Sequence, residues 1–219
     1  MRYRKIPKIP KEAKILILDA TADPLLVQAI FPDMEYIQIP VDQNLHVVQT
    51  FGLRTSKEKF TFEKSSDKPP ADTPETKHDK RVQNNFRRLN QFLQRVARHH
   101  SKVGFIGMQC MEPYLEIPDN VILGHLGNIR GMDHFKECDA LVVVGRMQPS
   151  PRKIENMARA LVFDRAITIT PLEGENPVYP EAPRGYQLRG GKKCGVNVPF
   201  HPDQLCDALL RQIREAEIV

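Results

Sequence analysis

The stretch "KVGFIGMQCMEPYLEIPDNVILGHLGNIRGMDHFKECDALVVVGR", Lys102 to Arg146, contains three short apolar runs, "KVGFIGM", "NVILGHL" and "ALVVVG". Continuous apolar runs of this length are the pattern of strands buried on both faces, as in a parallel sheet. Just ahead of them, between Asp79 and His100, Val82, Phe86, Leu89, Leu93, Val96 and Ala97 recur at helical spacing. That spacing predicts an amphipathic helix of about six turns with one face docked. Its opposite side carries Arg81, Arg88 and Arg95 seven apart, with Arg87 and Arg98 nearby. A solvated face is the plain reading of those arginines, and a nucleic-acid contact is the alternative. His99 and His100 close the helix, where a cation suits the macrodipole.

Working outward, the run Ile15 to Leu18 reads as another buried strand, and Asp23-Pro24 starts a helix through "LLVQAIF". "YIQIPV" and "HVVQTFGL" follow as candidate strands. The segment Arg54 to Lys80 is charged and proline-rich with little to bury, which predicts a mobile excursion, with room for a small hairpin around Phe60 and Phe62. On the carboxyl side, "SPRKIENMARALVF" is helical, "AITITP" is extended, and "GYQLRGGKKCGVNVPF" reads as a hairpin turning at Gly190-Gly191. "HPDQLCDALLRQIREAEIV" closes as a helix with Pro202 near its start and Leu205, Leu209 and Ile213 on one face. Strands alternating with helices predict an α/β fold with a mainly parallel sheet and a late β-hairpin insertion near 185–200. The expected divisions are 1–53, a polar insertion at 54–80, and the remainder, 81–219.

At 219 residues and 41% apolar content, one main domain is expected. A formal charge of +5 permits contact with phosphate backbones without requiring it. Cys110, Cys138, Cys194 and Cys206 are widely spaced, which favours reduced thiols. Cys194, His201 and Cys206 lack the tight ligand pairs of structural zinc, so no metal is expected. The basic start "MRYRKIPKIPKEAK" has no apolar signal stretch, and no run approaches the length of a membrane span, so a cytoplasmic, non-membrane protein is expected.

In open α/β sheets, ligands bind beyond the carboxyl ends of strands. Three loops qualify: "DATAD" offers Asp19, Thr21 and Asp23; "GMQC" offers Gln109; "GNIRGMD" offers Asn128, Arg130 and Asp133. Such small and polar residues also make ordinary turns. No phosphate loop, dinucleotide fingerprint or nucleophile elbow is present. "RGGKKCG" lies in the expected hairpin and is not a nucleotide cradle. The chain lacks the lysine that holds nucleotide phosphates and the acid that places magnesium, so an autonomous ATPase is not expected.

The order "LDATAD", "VGFIGMQC", "GNIRGMDHFKECDALVVVGR" and "REAEIV" resembles the carboxy-terminal half of superfamily 2 DNA helicases of phage and mobile-element type. The resemblance implies a second RecA-like (P-loop NTPase-like) three-layer domain, one of two that close on ATP. "DATA" then looks like motif III, with Asp19 and Thr21 coupling nucleotide state to strand movement. "VGFIGMQC" resembles motif IV, with Gln109 facing nucleic acid or the opposing domain. "GNIRGMD" resembles motif V, in which Arg130, Gly131 and Asp133 match the Arg-Gly-x-Asp pattern of the nucleotide cleft, and Asn128 meets the backbone. His125 stands where relatives carry a backbone-contacting threonine. Motif VI is not found, although "ENMARAL" with Arg159 is a degenerate substitute. The resemblance therefore implies an excised or truncated piece of an ATP-dependent helicase, inert alone. Its expected partners are single-stranded or duplex DNA and a missing amino-terminal RecA-like domain. ATP and Mg would be bound only in the intact parent, and Arg54 and its basic neighbours would add salt-sensitive DNA affinity. A different reading is a small-molecule α/β enzyme using Asp19, His125 and Asp133, and the plainest is an interaction scaffold.

Overall fold

The computed structural model describes residues 9–10, 12–19, 21–40, 45–50, 56–62, 77–129, 132–187 and 191–215. In chain order the regular elements are α1 (Pro24–Gln28), α2 (Lys77–His99), β1 (Val103–Gly107), β2 (Val121–His125), β3 (Ala140–Val143), α3 (Pro151–Leu161), β4 (Glu181–Gln187), β5 (Lys193–Pro199) and α4 (Gln204–Glu215). Short 3-10 turns occupy Lys57–Phe60, Gln109–Tyr114 and Asp133–Phe135. The fold is α/β, with a three-stranded parallel sheet and a separate antiparallel hairpin. Two compact units form: Met1–Gly52 with Gln148–Val219, and Leu53–Met147.

In the Leu53–Met147 unit the strand order is β2-β1-β3, with both pairings parallel and Val103 level with Val121 and Ala140. Strand residues alternate between faces. Val103, Phe105, Val121, Leu123, Ala140 and Val142 therefore share one side, and they join Val82, Phe86 and Leu93 of α2 in a single apolar core. The helix ends where Asn120 intervenes: its side-chain amide donates to the carbonyls of Ala97 (2.9 Å) and His100 (2.8 Å), satisfying groups the last turn leaves open. The next two amides, Ser101 and Lys102, donate to one carboxylate oxygen of Asp139, which fixes the start of β1 beside the start of β3. Those two amides hold the Asp139 carboxyl below its ordinary range.

On the other side of the sheet, glycine makes room for an aromatic ring. A Cβ at Gly124 would lie 2.6 Å from the Phe135 ring, and one at Gly104 would lie 2.7 Å from it. Phe135 thus settles onto the bare backbone of β1 and β2. Leu141 on the same face keeps 47% of its surface exposed.

The other unit is built on α3 and α4, whose Ile154, Ala158, Leu205, Cys206 and Leu210 pack with Ala29, Val162, Ile169 and Tyr179. Asp203 starts α4 by accepting from the amides of Leu205 and Cys206, and its second oxygen accepts from Thr170. Burial pushes the Cys206 thiol up to about 12, so it is a packing group and not a nucleophile. The hairpin runs from Glu181↔Pro199 to Gln187↔Lys193, with Gly191 between its strands at φ +80°; Gly190 of the expected turn lies outside the described residues. Arg214 ties its base to α4 by donating to the Pro199 carbonyl at 2.7 Å.

Several expected elements differ. Ile15 to Leu18 is not a buried strand: Leu16 and Leu18 are 82% and 86% exposed, because no neighbouring strand pairs with the segment among the described residues. "YIQIPV" and "HVVQTFGL" likewise form no ladder over their described residues, where Ile37, Ile39, Val47 and Val48 are exposed. "AITITP" is unpaired too, although Ile169 is buried in the α3–α4 core. The helix after Asp23-Pro24 stops at Gln28, short of the expected Phe31. Among the described residues, Phe60 and Phe62 form no hairpin. Phe60 ends a 3-10 turn and is buried against Phe86, so this part of the polar excursion is anchored by two aromatic rings. Among the described residues, no helix is long and apolar enough to cross a membrane.

Candidate functional site

Parallel pairing brings the ends of β1, β2 and β3 to one edge of the sheet, at Gly107, His125 and Val143. The chain leaves that edge in ordered turns. Leu126 donates to the Gly107 carbonyl and Val144 to the Ile106 carbonyl, both extending the ladder by one bond. Gly127 and Gly145 follow at φ +90° and +94°, a region in which side chains with a Cβ are strained. These glycines stand just past the ends of β2 and β3. Gln109 opens the turn after β1, Asn128 follows β2 with its backbone N–H donating to the His125 carbonyl at 3.0 Å, and Arg146 follows β3 with its side chain exposed.

His125, the last residue of β2, meets Glu112 from the turn after β1, with Nε2 3.3 Å from a carboxylate oxygen. The edge therefore presents two side-chain amides, an imidazole–carboxylate contact and a guanidinium. This set can donate to and accept from a polar ligand. It does not make a triphosphate cradle: the Glu112 carboxylate stands against His125, and the segments after β1 and β2 form 3-10 turns of six and three residues in place of a full helix N-terminus.

Gln109, His125 and Asn128 thus share the edge. Asp133 begins the turn that carries Phe135 onto the sheet face, and its exposed carboxylate pairs with Lys136 at 2.7 Å. Arg54, Arg130 and Gly131 lie outside the described residues. Asp19 and Thr21 belong to the other unit, where one Asp19 oxygen accepts from both the Thr21 amide (2.8 Å) and its hydroxyl (3.0 Å). Gln212 of α4 reaches the same hydroxyl at 3.3 Å, and Asp23 caps α1 while standing 3.7 Å from Arg211. Arg159 turns toward its own helix, donating to Asn156 and standing 3.7 Å from Glu155.

Sequence reasoning missed Glu112 and Arg146 at the edge. It also missed a buried pair in the α3–α4 unit, where Glu155 and His201 lie 3.6 Å apart with no exposed side-chain surface. The only signal in "SPRKIENMARALVF" is an acid at a position that the helical repeat places among core residues. No protein-family model matches the chain, and no curated protein or solved structure matches it.

Proposed function

We propose that the chain is the second, RecA-like half of an ATP-dependent DNA helicase, holding the nucleic-acid backbone along the carboxyl edge of its parallel sheet. The observation that carries this reading is the convergence of Gln109, Asn128 and Arg146 at the ends of three adjacent parallel strands. The two amides would donate to phosphate oxygens, and Arg146 would supply charge. His125 would fill the position of the usual backbone-contacting threonine, with Glu112 orienting its ring. Asp19 and Thr21 would couple this half to a facing RecA-like domain, and Arg130, Gly131 and Asp133 would belong to the nucleotide cleft between the halves. ATP and magnesium would be held by the facing domain's phosphate loop, since the edge itself offers no cradle for them.

Fluorescence polarisation of a labelled oligo-dT strand tests this. Affinity should be weak, with a Kd of about 10⁻⁴ to 10⁻⁶ M, and should fall steeply as salt is raised. Arg146→Ala should reduce the logarithmic salt slope by about 0.7. Asn128→Ala should weaken binding with the slope unchanged, and the chain alone should hydrolyse no ATP. Binding indifferent to both substitutions would overturn the assignment of the edge. ATP turnover abolished by a point change within the chain would overturn the half-site reading.

A further inference from the structure

The flank of α2 borders an open groove of about 1010 Å³ whose far wall is the segment around Tyr114 and Glu116. Asn90 builds that wall. It is buried on α2, and its amide nitrogen donates to the Tyr114 carbonyl while its oxygen accepts from the Glu116 amide, both at 3.2 Å. Arg87, Arg95 and Arg98 line the helix side, with Gln91 and Gln94 between them. None of the three arginines forms a salt bridge among the described residues; Arg87 donates to the neutral Asn84 side chain at 2.7 Å. Glu116 is the one carboxylate in the lining.

One end of the groove is aromatic. Tyr114 packs on Phe62 (centroids 4.9 Å) and Phe86 (5.0 Å), yet keeps 47% of its surface open. Two rings hold it in place while nearly half of its surface stays open.

We propose that this groove is a binding path for single-stranded nucleic acid, with phosphates along Arg87, Arg95 and Arg98 and a base stacked on Tyr114. The three arginines span about 16 Å of helix, enough to meet more than one phosphate. Guanidinium groups fork onto phosphate oxygens, the amides of Gln91 and Gln94 suit sugar and base edges, and an aromatic ring with an exposed face takes any base without regard to sequence. A duplex keeps its bases stacked inside and leaves the ring unused, as does an acidic peptide. The groove's lining includes none of the strand-end residues Gln109, Glu112, His125, Asn128 and Arg146, and the proposal does not rest on the helicase reading.

The chain contains no tryptophan, so Tyr114→Trp installs a single reporter at the stacking position. Its fluorescence is titrated with a twelve-residue oligo-dT, an abasic strand of equal charge, and polyglutamate. Quenching by oligo-dT and none by the other two is expected. Replacing Arg95 and Arg98 together by alanine should raise the Kd for oligo-dT about tenfold and lower the salt slope by about 1.4. Both side chains are exposed, and an unchanged melting curve confirms that the fold is intact. Absence of quenching, equal quenching by the abasic strand or polyglutamate, or unchanged affinity in the double variant would overturn the proposal. Asn128→Ala and Arg146→Ala at the sheet edge should leave the quenching in place; its loss there would overturn an independent groove.

Discussion

Glu155 has no exposed surface, and its two oxygens are divided between different partners. One accepts from the Leu172 amide at 2.8 Å, and the other from Arg152 at 3.2 Å, which itself donates to the Gly174 carbonyl. His201 stands opposite: its Nδ1 accepts from the Asp203 amide at 3.1 Å, which leaves the ring proton on Nε2, facing Glu155. Burial alone would push the Glu155 carboxyl up, but the Leu172 amide, Arg152 and His201 together hold it below its ordinary 4.5. A carboxyl lowered by folding contributes stability that is complete above its unfolded value and is lost as pH falls through the folded one. Melting temperature should therefore drop as pH is lowered from about 5 toward 3, and Glu155→Gln should make that drop shallower while costing about 1–3 kcal/mol at neutral pH. Thermal melts of both proteins across that range measure it; parallel pH profiles would show that Glu155 is not one of the groups responsible. The contact was not legible in the sequence, since Glu155 and His201 are far apart in the chain and nothing local marks either as the other's partner.

At the scale of elements, the apolar patterns announced α2 and the three strands, because a helical repeat and uninterrupted apolar runs record burial directly. They announced too much elsewhere. Ile15 to Leu18 is an uninterrupted apolar run, as β1 is, yet a strand needs a partner's free amides and carbonyls as well as apolar side chains, and composition does not reveal the partner. The arginine stripe of Arg81, Arg88 and Arg95 was visible, but the groove runs along the adjacent flank through Arg87 and Arg98. Its far wall comes from Tyr114, which no helical repeat points to. Gln109 and Asn128 were legible as strand-end residues because each lies in a loop that follows an apolar run, whereas His125 was named through the resemblance. Glu112 was not legible, since its approach to His125 depends on the register of β1 against β2. The bare backbone at Gly124 is a further element-level requirement. Gly124→Ala would drive a methyl group into the Phe135 ring, so it should destabilise the protein by about 1–3 kcal/mol. Adding Phe135→Leu should recover part of the loss, and chemical denaturation of the single and double variants measures the coupling. Additive losses would mean that the ring does not set the requirement for glycine.

For the whole molecule, the division of the cores matters more than the overall charge of +5. Every buried residue of the α2–sheet core, from Phe60 to Val121, falls within Leu53–Met147, and every one of the α3–α4 core falls within Met1–Gly52 or Gln148–Val219. The first of these is a continuous stretch of chain. It has a helix of 23 residues, whose last-turn carbonyls are met by Asn120, and a sheet whose two amino-terminal loops are tied by Asp139. Among the described residues, all of these partners lie inside the same segment. Residues 53–147 expressed alone should therefore fold, with a cooperative thermal transition of about 60–70 kcal/mol in enthalpy. Because α2, Tyr114 and the strand-end edge are all contained in it, the piece should also keep the salt-dependent oligo-dT binding of the full chain. Calorimetry and polarisation on that segment check both points. A broad, non-cooperative melt would show that the sheet needs the remaining residues to fold. A cooperative melt without binding would move the nucleic-acid contacts out of this unit.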